Sequence, residues 1–330
     1  MKVSELGEFG LIDLLAKIAP QGGPEHRMLV GVGDDAAAWR GDDSTVLATT
    51  DAMVEGVHFT RGTPWRELGW KALAVNLSDI AAMGGEPRFA LVSLSLPGAT
   101  EVEDVVQLYR GVADLANEHR VAIVGGNITS APLVMIAMTV VGRGLKEGLL
   151  RRSAAVPGDR IAVTGYLGSA AAGLRRLKDS LELAPETVTF LTKAHLQPQP
   201  RISEGQALVK RGVRAAIDIS DGLVADLGHV CAASKVGAMV RVNAVPIHPL
   251  VQEAFGKEAL KMALTGGEDY ELLFTASERI VDQVKASLSA DCPVTVIGEI
   301  ADGTGVVLLG EDGRPYHIDG HGWDHFQKGG

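Results

Sequence analysis

The sequence predicts a mixed α/β protein built as two domains. Apolar runs of strand length alternate with longer segments of helical period, and this alternation breaks near residue 148 before resuming. At 330 residues the chain is also long for one hydrophobic core, which favours two domains of ordinary size.

The opening MKVSELGEFGLIDLLAKIAP mixes Glu5, Glu8 and Asp13 with apolar residues, a pattern for an amphipathic helix rather than a secretory signal. LVGVGDD from Leu29, TVLATTD from Thr45, FALVSLSLP from Phe89, VAIVGGN from Val121 and LVMIAMTVVGRG from Leu133 read as strands. Between them, WRELGWKALAVNLSDIAAM places Leu68, Ala72, Val75 and Met83 on one stripe and runs into Gly84 and Gly85, where a C-terminal cap is expected. VEDVVQLYRGVADLANEHR carries Val102, Val105, Leu108, Val112 and Leu115 along one face. These strands and helices make a first unit over residues 1–148. GLKEGLLRRSAAVPGD combines glycine, charge and Pro157 with little periodicity and marks the boundary. In residues 149–330, IAVTG, AAIDISDG, GAMVRVN, ELLFTA and VTVIGEI read as strands, and the stretches after Gly168, Ile202, Leu223 and Glu278 as helices.

Composition narrows the function. Hydrophobic residues make up 46% and charged residues 22%, as in an ordinary globular enzyme. Asp and Glu number 41 against 31 Lys and Arg, a net charge of −10, and no basic run interleaved with aromatics occurs, so nucleic acid is not an expected partner. Only Cys231 and Cys292 are present, without CxxC spacing, which argues against structural zinc or a disulfide framework and for a reducing compartment. The longest apolar stretch, from Leu133, is about half of the ~20 residues that a spanning helix needs. A cytoplasmic protein with no membrane partner is expected.

Five acidic segments stand where hydrophobic runs end: Asp34 with Asp35, Asp51, Asp79, Asp218 with Asp221, and Glu268. Carboxylates gathered in this way repel one another unless cations sit among them, and an acidic protein that binds phosphates needs local positive charge. Together these point to several Mg²⁺ ions at a phosphate site. Each segment also has a plainer reading. Gly33-Asp34-Asp35 is ordinary turn chemistry, and Asp218, Ser220 and Asp221 before a helix suit an N-cap. Asp51 follows Thr49 and Thr50, whose oxygens suit a hard cation, and His58 is as readily a structural hydrogen-bonder as a ligand. Asp79 lies in an apolar helix beside Asn76 and Ser78, so it is either exposed or coordinated. No GxxxxGK[ST], GxSxG or HExxH occurs, and the turn in IAVTGYLGSAAAGL is packing with at most a phosphate contact.

GVGDDAA, TTDAMVEGVHF, KALAVNLSDIAAMGG, VGGN, RRSAAVPGD, TGYLGSAAAGL, HLQPQPR, IDISDGL, GGEDYEL and GWDHF occur in the order found in thiamine-monophosphate kinases, so the chain resembles that family from Gly7 to Phe326. The resemblance implies an aminoimidazole ribonucleotide synthase-like fold, with an N-terminal mixed sheet that pairs across a homodimer and a C-terminal α/β domain. It implies ATP-dependent phosphorylation of thiamine monophosphate to thiamine diphosphate. By position, Asp35, Thr50, Asp51, Asp79, Asn127, Asp218 and Asp221 match Mg²⁺ ligands. Arg152 and Ser220 match ATP contacts, with Gly125, Gly126 and Asn127 beside them, while His58, Glu268 and Trp323 match positions at the thiamine phosphate. Asp51, Asp218 and Arg152 are then the groups expected to carry catalysis.

Many members of that family carry Asp where this chain has Asn127; an amide oxygen can coordinate Mg²⁺ but brings no charge. The second pKa of a phosphate monoester is about 6, so the acceptor is already largely dianionic and needs no general base. Repulsion between phosphates is the barrier, which fits many metal ligands and no candidate nucleophile. Two alternatives stand beside this reading: another ATP-using member of the same superfamily, and a non-catalytic nucleotide-binding scaffold.

Overall fold

The computed structural model describes residues 3–18, 27–288 and 291–318. Helix α1 (Val3–Ile18) bends at Gly7, whose φ of 74° no helix accommodates. Strands β1 (Met28–Val30), β2 (Ala37–Arg40) and β3 (Thr45–Val54) follow, then helix α2 (Trp65–Ala82), β4 (Glu86–Leu96), α3 (Val102–Glu118), β5 (Ala122–Ser130) and β6 (Met135–Arg143). They form a six-stranded sheet in the order β1-β2-β3-β6-β4-β5, antiparallel except for the pair β4 and β5.

A single 3₁₀ turn at Arg152–Ala154 leads into β7 (Arg160–Thr164), α4 (Ser169–Asp179), α5 (Pro185–Leu196), α6 (Ile202–Lys210), β8 (Ala215–Asp218) and α7 (Leu223–Ser234). β9 (Gly237–Arg241), α8 (Pro249–Phe255), α9 (Glu258–Thr265), β10 (Leu272–Ala276), α10 (Glu278–Ser287), β11 (Val294–Ala301) and β12 (Gly305–Leu309) complete it. This second sheet runs β12-β9-β11-β7-β10-β8, again with one parallel pair, β12 and β9.

The expected mixed α/β architecture is therefore present as two mixed sheets with helices. Strands β2 and β12 and helices α5, α8 and α9 are additions to the elements expected from periodicity. β2 is four residues long, too short to show a period, and α5 starts on Pro185 at its first turn, where proline is pre-set for a helix. Val102, expected on the buried face of α3, is 77% exposed because it is the first residue of the helix; Leu108, Val112 and Leu115 are fully buried.

Helix α2 organises the interior. Nearly every residue from Leu68 to Ala82 is buried, because the N-terminal sheet and α3 pack on it from one side and α6 and β8 from the other. Gly69 and Gly111 let the α2 and α3 backbones touch, since a Cβ on either would overlap a carbonyl of the opposite helix. One hydrophobic cluster joins Leu73, Leu77 and Ile80 of α2 to Leu208 and Phe274 of the second half. A helix buried on all faces cannot leave polar side chains idle, so Lys71, Asn76, Ser78 and Asp79 on α2 must find partners. Asn76, Ser78 and Asp79 find them at the junction with β3 and β8, and Lys71 finds Glu268 in the loop before β10.

Candidate active site

Asp35, Asp79 and Asp218 each offer a carboxylate oxygen, and these atoms lie within 4.8 Å of one another. The residues come from the loop after β1, the buried helix α2 and the end of β8, far apart in sequence. Local bonds aim them. Thr49 of β3 donates to Asp79 Oδ2 at 2.5 Å, Ser78 donates to Asp218 Oδ2 at 2.6 Å, and the Asp51 amide donates to Asn76 Oδ1 at 3.0 Å. The Arg152 guanidinium meets Asp35 Oδ1 at 2.5 Å, and its amide lies 3.2 Å from Asp34 Oδ2. Ser234 holds the same turn by donating to the Arg152 carbonyl at 2.7 Å.

Charge is out of balance here. Burial, then the Asp35 carboxylate, pushes Asp218 up to about 8; burial, then Asp51, Asp218 and Asp35, holds Asp79 well above the ordinary carboxylate range. Asp34 rises to about 6 through burial and Asp35. Burial opposes the charge of Arg152, yet Asp35, Asp218 and Asp34 outweigh it and hold the guanidinium charged. One arginine does not neutralise this group, and Asp35 Oδ2 is buried with no hydrogen-bond partner among the described residues. An oxygen-only donor set with an orphaned buried carboxylate atom fits a hard divalent cation such as Mg²⁺.

Other predicted residues fall around this centre. Asp51 sits inside β3, opposite Met138 of β6, and not at a strand end as its sequence context suggested: β3 continues to Val54. Thr50 points to the other face of the sheet, where its hydroxyl donates to the Met138 carbonyl at 2.9 Å and accepts from Thr139 at 3.2 Å. Asp221 belongs to a second oxygen and nitrogen group with Asp226 and His229. There Asp226 Oδ2 accepts the amides of Ser220, Asp221 and Gly222 at 3.1, 3.1 and 3.0 Å, which fixes the loop that carries Asp218 into α7.

Glu268 lies in the loop before β10 with a left-handed φ of 69°. Its Oε1 is 2.6 Å from the buried Lys71 Nζ and its Oε2 is 3.3 Å from His195 Nδ1. Burial alone would raise this carboxyl; Lys71 and His195 overcome it and hold it down at about 2. His58 follows β3 in a turn, with Nδ1 accepting the Val54 amide at 3.0 Å. Gly125, Gly126 and Asn127 lie on the exposed edge strand β5, separated from β3 by β4 and β6, so roughly 14 Å of sheet keeps them from Asp51 within one chain. Trp323 lies outside the described residues. The amides of the glycine-rich turn are not open to phosphate: those of Gly168 and Ala170 are taken by Asp269 at 2.6 and 3.0 Å.

Thr49, Lys71, His195, Asp226 and Tyr270 were not among the site residues expected from sequence. Lys71 had a visible signal, a lone cation in the apolar run of α2. Thr49 and His195 depend on contacts 30 and 73 residues away, Asp226 on the turn of the 220–222 loop, and Tyr270 on the loop geometry near residue 268.

Comparison with known proteins identifies the fold and the family. Residues 33–144 match the AIR synthase related protein, N-terminal domain, and residues 156–310 the AIR synthase related protein, C-terminal domain, which defines the class of fold. Two hydrogenase-maturation HypE structures from Escherichia coli share that fold, one with a TM-score of 0.69 at 23% identity over 83% of this chain and 85% of its own. Much nearer are the thiamine-monophosphate kinases. That of Escherichia coli K12 is 40% identical over 90% of this chain and 92% of its own, and that of Aquifex aeolicus is 37% identical over 99% and 100%. A solved structure described as AaThiL complexed with AMPPCP and TMP superposes with a TM-score of 0.86 at 36% identity, covering 98% of this chain and 99% of that one. The chain belongs to the thiamine-monophosphate kinase family.

Proposed function

We propose that this protein phosphorylates thiamine monophosphate to thiamine diphosphate with ATP as donor, by direct in-line transfer and without a phosphoenzyme. The observation that carries the reading is the convergence of Asp35, Asp79 and Asp218 beside Arg152, in a chain whose relatives include a structure holding both an ATP analogue and TMP. Asp35, Asp79, Asp218 and Asp51 would hold Mg²⁺, with Asp221 and Asn127 as further ligands by family position; the Thr50 hydroxyl, turned to Met138 on the other face of the sheet, is not among them. Bound there, Mg²⁺ supplies the positive charge that lets two phosphates approach. Arg152 adds a fixed cation on the nucleotide side, with Ser220 at the adjacent loop. Glu268, kept anionic by Lys71 and His195, suits the cationic thiazolium, as do His58 and Trp323 by family position. The acceptor phosphate, already largely dianionic, needs no base.

A second copy of the chain completes this proposal. Along β4, Ala90, Val92 and Leu94 are buried against the helices, while Phe89 and Leu91 on the opposite face are 50% and 43% exposed. Pairing two N-terminal sheets over that face would cover these residues and bring β5, with Gly125, Gly126 and Asn127, beside the partner's site. We place the domain boundary near residue 148, between the two family matches.

ADP release measured with and without thiamine monophosphate tests the activity: substrate-dependent turnover with Mg²⁺ supports it, and silence refutes it. A chiral γ-phosphate tests the transfer, for which inversion is expected and retention excludes a single in-line step.

A further inference from the structure

We propose that Tyr270 is a further catalytic residue, its hydroxyl donating a hydrogen bond to a phosphate oxygen of the bound acceptor. This rests on the kinase reading above and names a contact that reading did not contain.

Tyr270 follows Glu268 by two residues, and both adopt left-handed backbone conformations, with φ of 51° and 69°. Non-glycine residues hold such angles only where their surroundings enforce them, and such strain gathers at ligand sites. The enforcement is visible: the Glu268 amide donates to the Ser220 carbonyl at 2.8 Å, the Tyr270 amide to Ile219 at 2.9 Å, and the Ile219 amide to Glu271 at 2.8 Å. The loop is thereby stitched to the segment between Asp218 and Asp221. Gly267 is required for that approach, because a Cβ there would overlap the Ser220 carbonyl.

Tyr270 itself is only 8% exposed. Among the described residues no hydrogen bond engages its hydroxyl, and that oxygen is not one of the fully buried polar atoms left without a partner, so the ring is packed while its hydroxyl stays accessible. The charges acting on it are, in order, those of Glu268, Asp51, Asp218 and Asp79. Through its main-chain bonds the Tyr270 loop runs from Glu268, the carboxylate expected at the substrate, to the segment that carries Asp218 and Asp221. A phenol has an ordinary pKa of about 10, so at neutral pH it is an O–H donor. A neutral donor lends hydrogen bonding to a phosphate without competing for the cations.

Tyr270→Phe keeps the ring, its packing and the backbone demand, and removes only the donor. Steady-state kinetics with ATP, Mg²⁺ and thiamine monophosphate should show kcat/KM for the acceptor falling about 10- to 100-fold, the range of a hydrogen bond to a charged group. Affinity for AMPPCP and the melting temperature should stay at wild-type values. A kcat/KM within about twofold of wild type overturns the proposal. So does a parallel fall in AMPPCP affinity, which would put the hydroxyl on the nucleotide. A wild-type chain without turnover would refute the kinase reading separately, and calorimetric titration of thiamine monophosphate into the Mg²⁺–AMPPCP form then decides. Weaker binding by Tyr270→Phe supports the contact, while equal binding, or none by either protein, overturns it.

Discussion

Two buried carboxylate sites in this molecule have opposite electrostatic fates. Glu271 accepts Arg201 Nε at 2.7 Å and Nη2 at 2.5 Å, and Thr164 at 2.7 Å, so its charge is paired. Thr164 in turn accepts the Leu272 amide at 2.8 Å, which ties the ion pair into β7 and β10. Asp35, Asp79 and Asp218 are as secluded but share one arginine, and one of their oxygens has no hydrogen-bond partner among the described residues. The first site is complete as the chain folds. The second carries more negative charge than its one arginine balances. Burial of a carboxylate therefore does not separate structure from function here, whereas the local charge balance does.

Asp218→Asn should sharpen this contrast most. Removing a carboxylate from the acidic group is expected to lower kcat by about a thousandfold or more, since metal charge stabilisation is lost. Its melting temperature without metal should stay level or rise, because like charges are relieved. Glu271→Gln should do the reverse, costing about 3 kcal/mol in denaturant unfolding by stranding Arg201, with little change in kcat among molecules that remain folded. If Asp218→Asn destabilised the protein as much as Glu271→Gln does, the distinction would fail.

Metal should act on one site only. Saturating Mg²⁺ at about 100 times its Kd should stabilise the wild-type protein by about 2.7 kcal/mol, read as a higher melting temperature. The gain should shrink in Asp79→Asn and persist in Glu271→Gln. An equal gain in both variants would place the ion elsewhere.

A smaller effect is expected where charge is nearly balanced, at Lys71, His195 and Glu268. The folded Glu268 carboxyl is depressed to about 2 from an ordinary 4.5. Its ionisation thus contributes stability that is present above about pH 4.5 and lost as pH falls from there towards 2. Lys71→Met removes the main cause of that depression, so this portion of the acid sensitivity should disappear and KM for thiamine monophosphate should rise several-fold more than KM for ATP. An unchanged acid limb in a pH–stability profile would show that Lys71 does not hold Glu268 down.

The sequence made much of this legible, because its signals were local. Periodicity marked α2 and α3, and the run from Leu29 to Gly144 supplied five of the six strands of the first sheet. Asp79 was suspicious in sequence for a sound reason: an unpaired carboxylate in an apolar helix needs either water or a cation. What remained hidden was non-local. Thr50 lies beside Asp51, yet its hydroxyl turns to Met138 on the opposite face, as the two-residue period of a strand demands. The bond between Ser78 and Asp218 and the ion pair between Lys71 and Glu268 cross from one half of the chain to the other. No window of sequence contains both partners of either. Asn127 stands in its expected strand, but the sheet order leaves it remote from β3 within a single chain.

The claim beneath all of this is that the converging aspartates hold divalent ions. Anomalous diffraction from crystals soaked in Mn²⁺ and AMPPCP tests it most directly. The account predicts at least one strong peak within about 2.5 Å of carboxylate oxygens of Asp35, Asp79 and Asp218. An ordered nucleotide with no peak among those three side chains would contradict it.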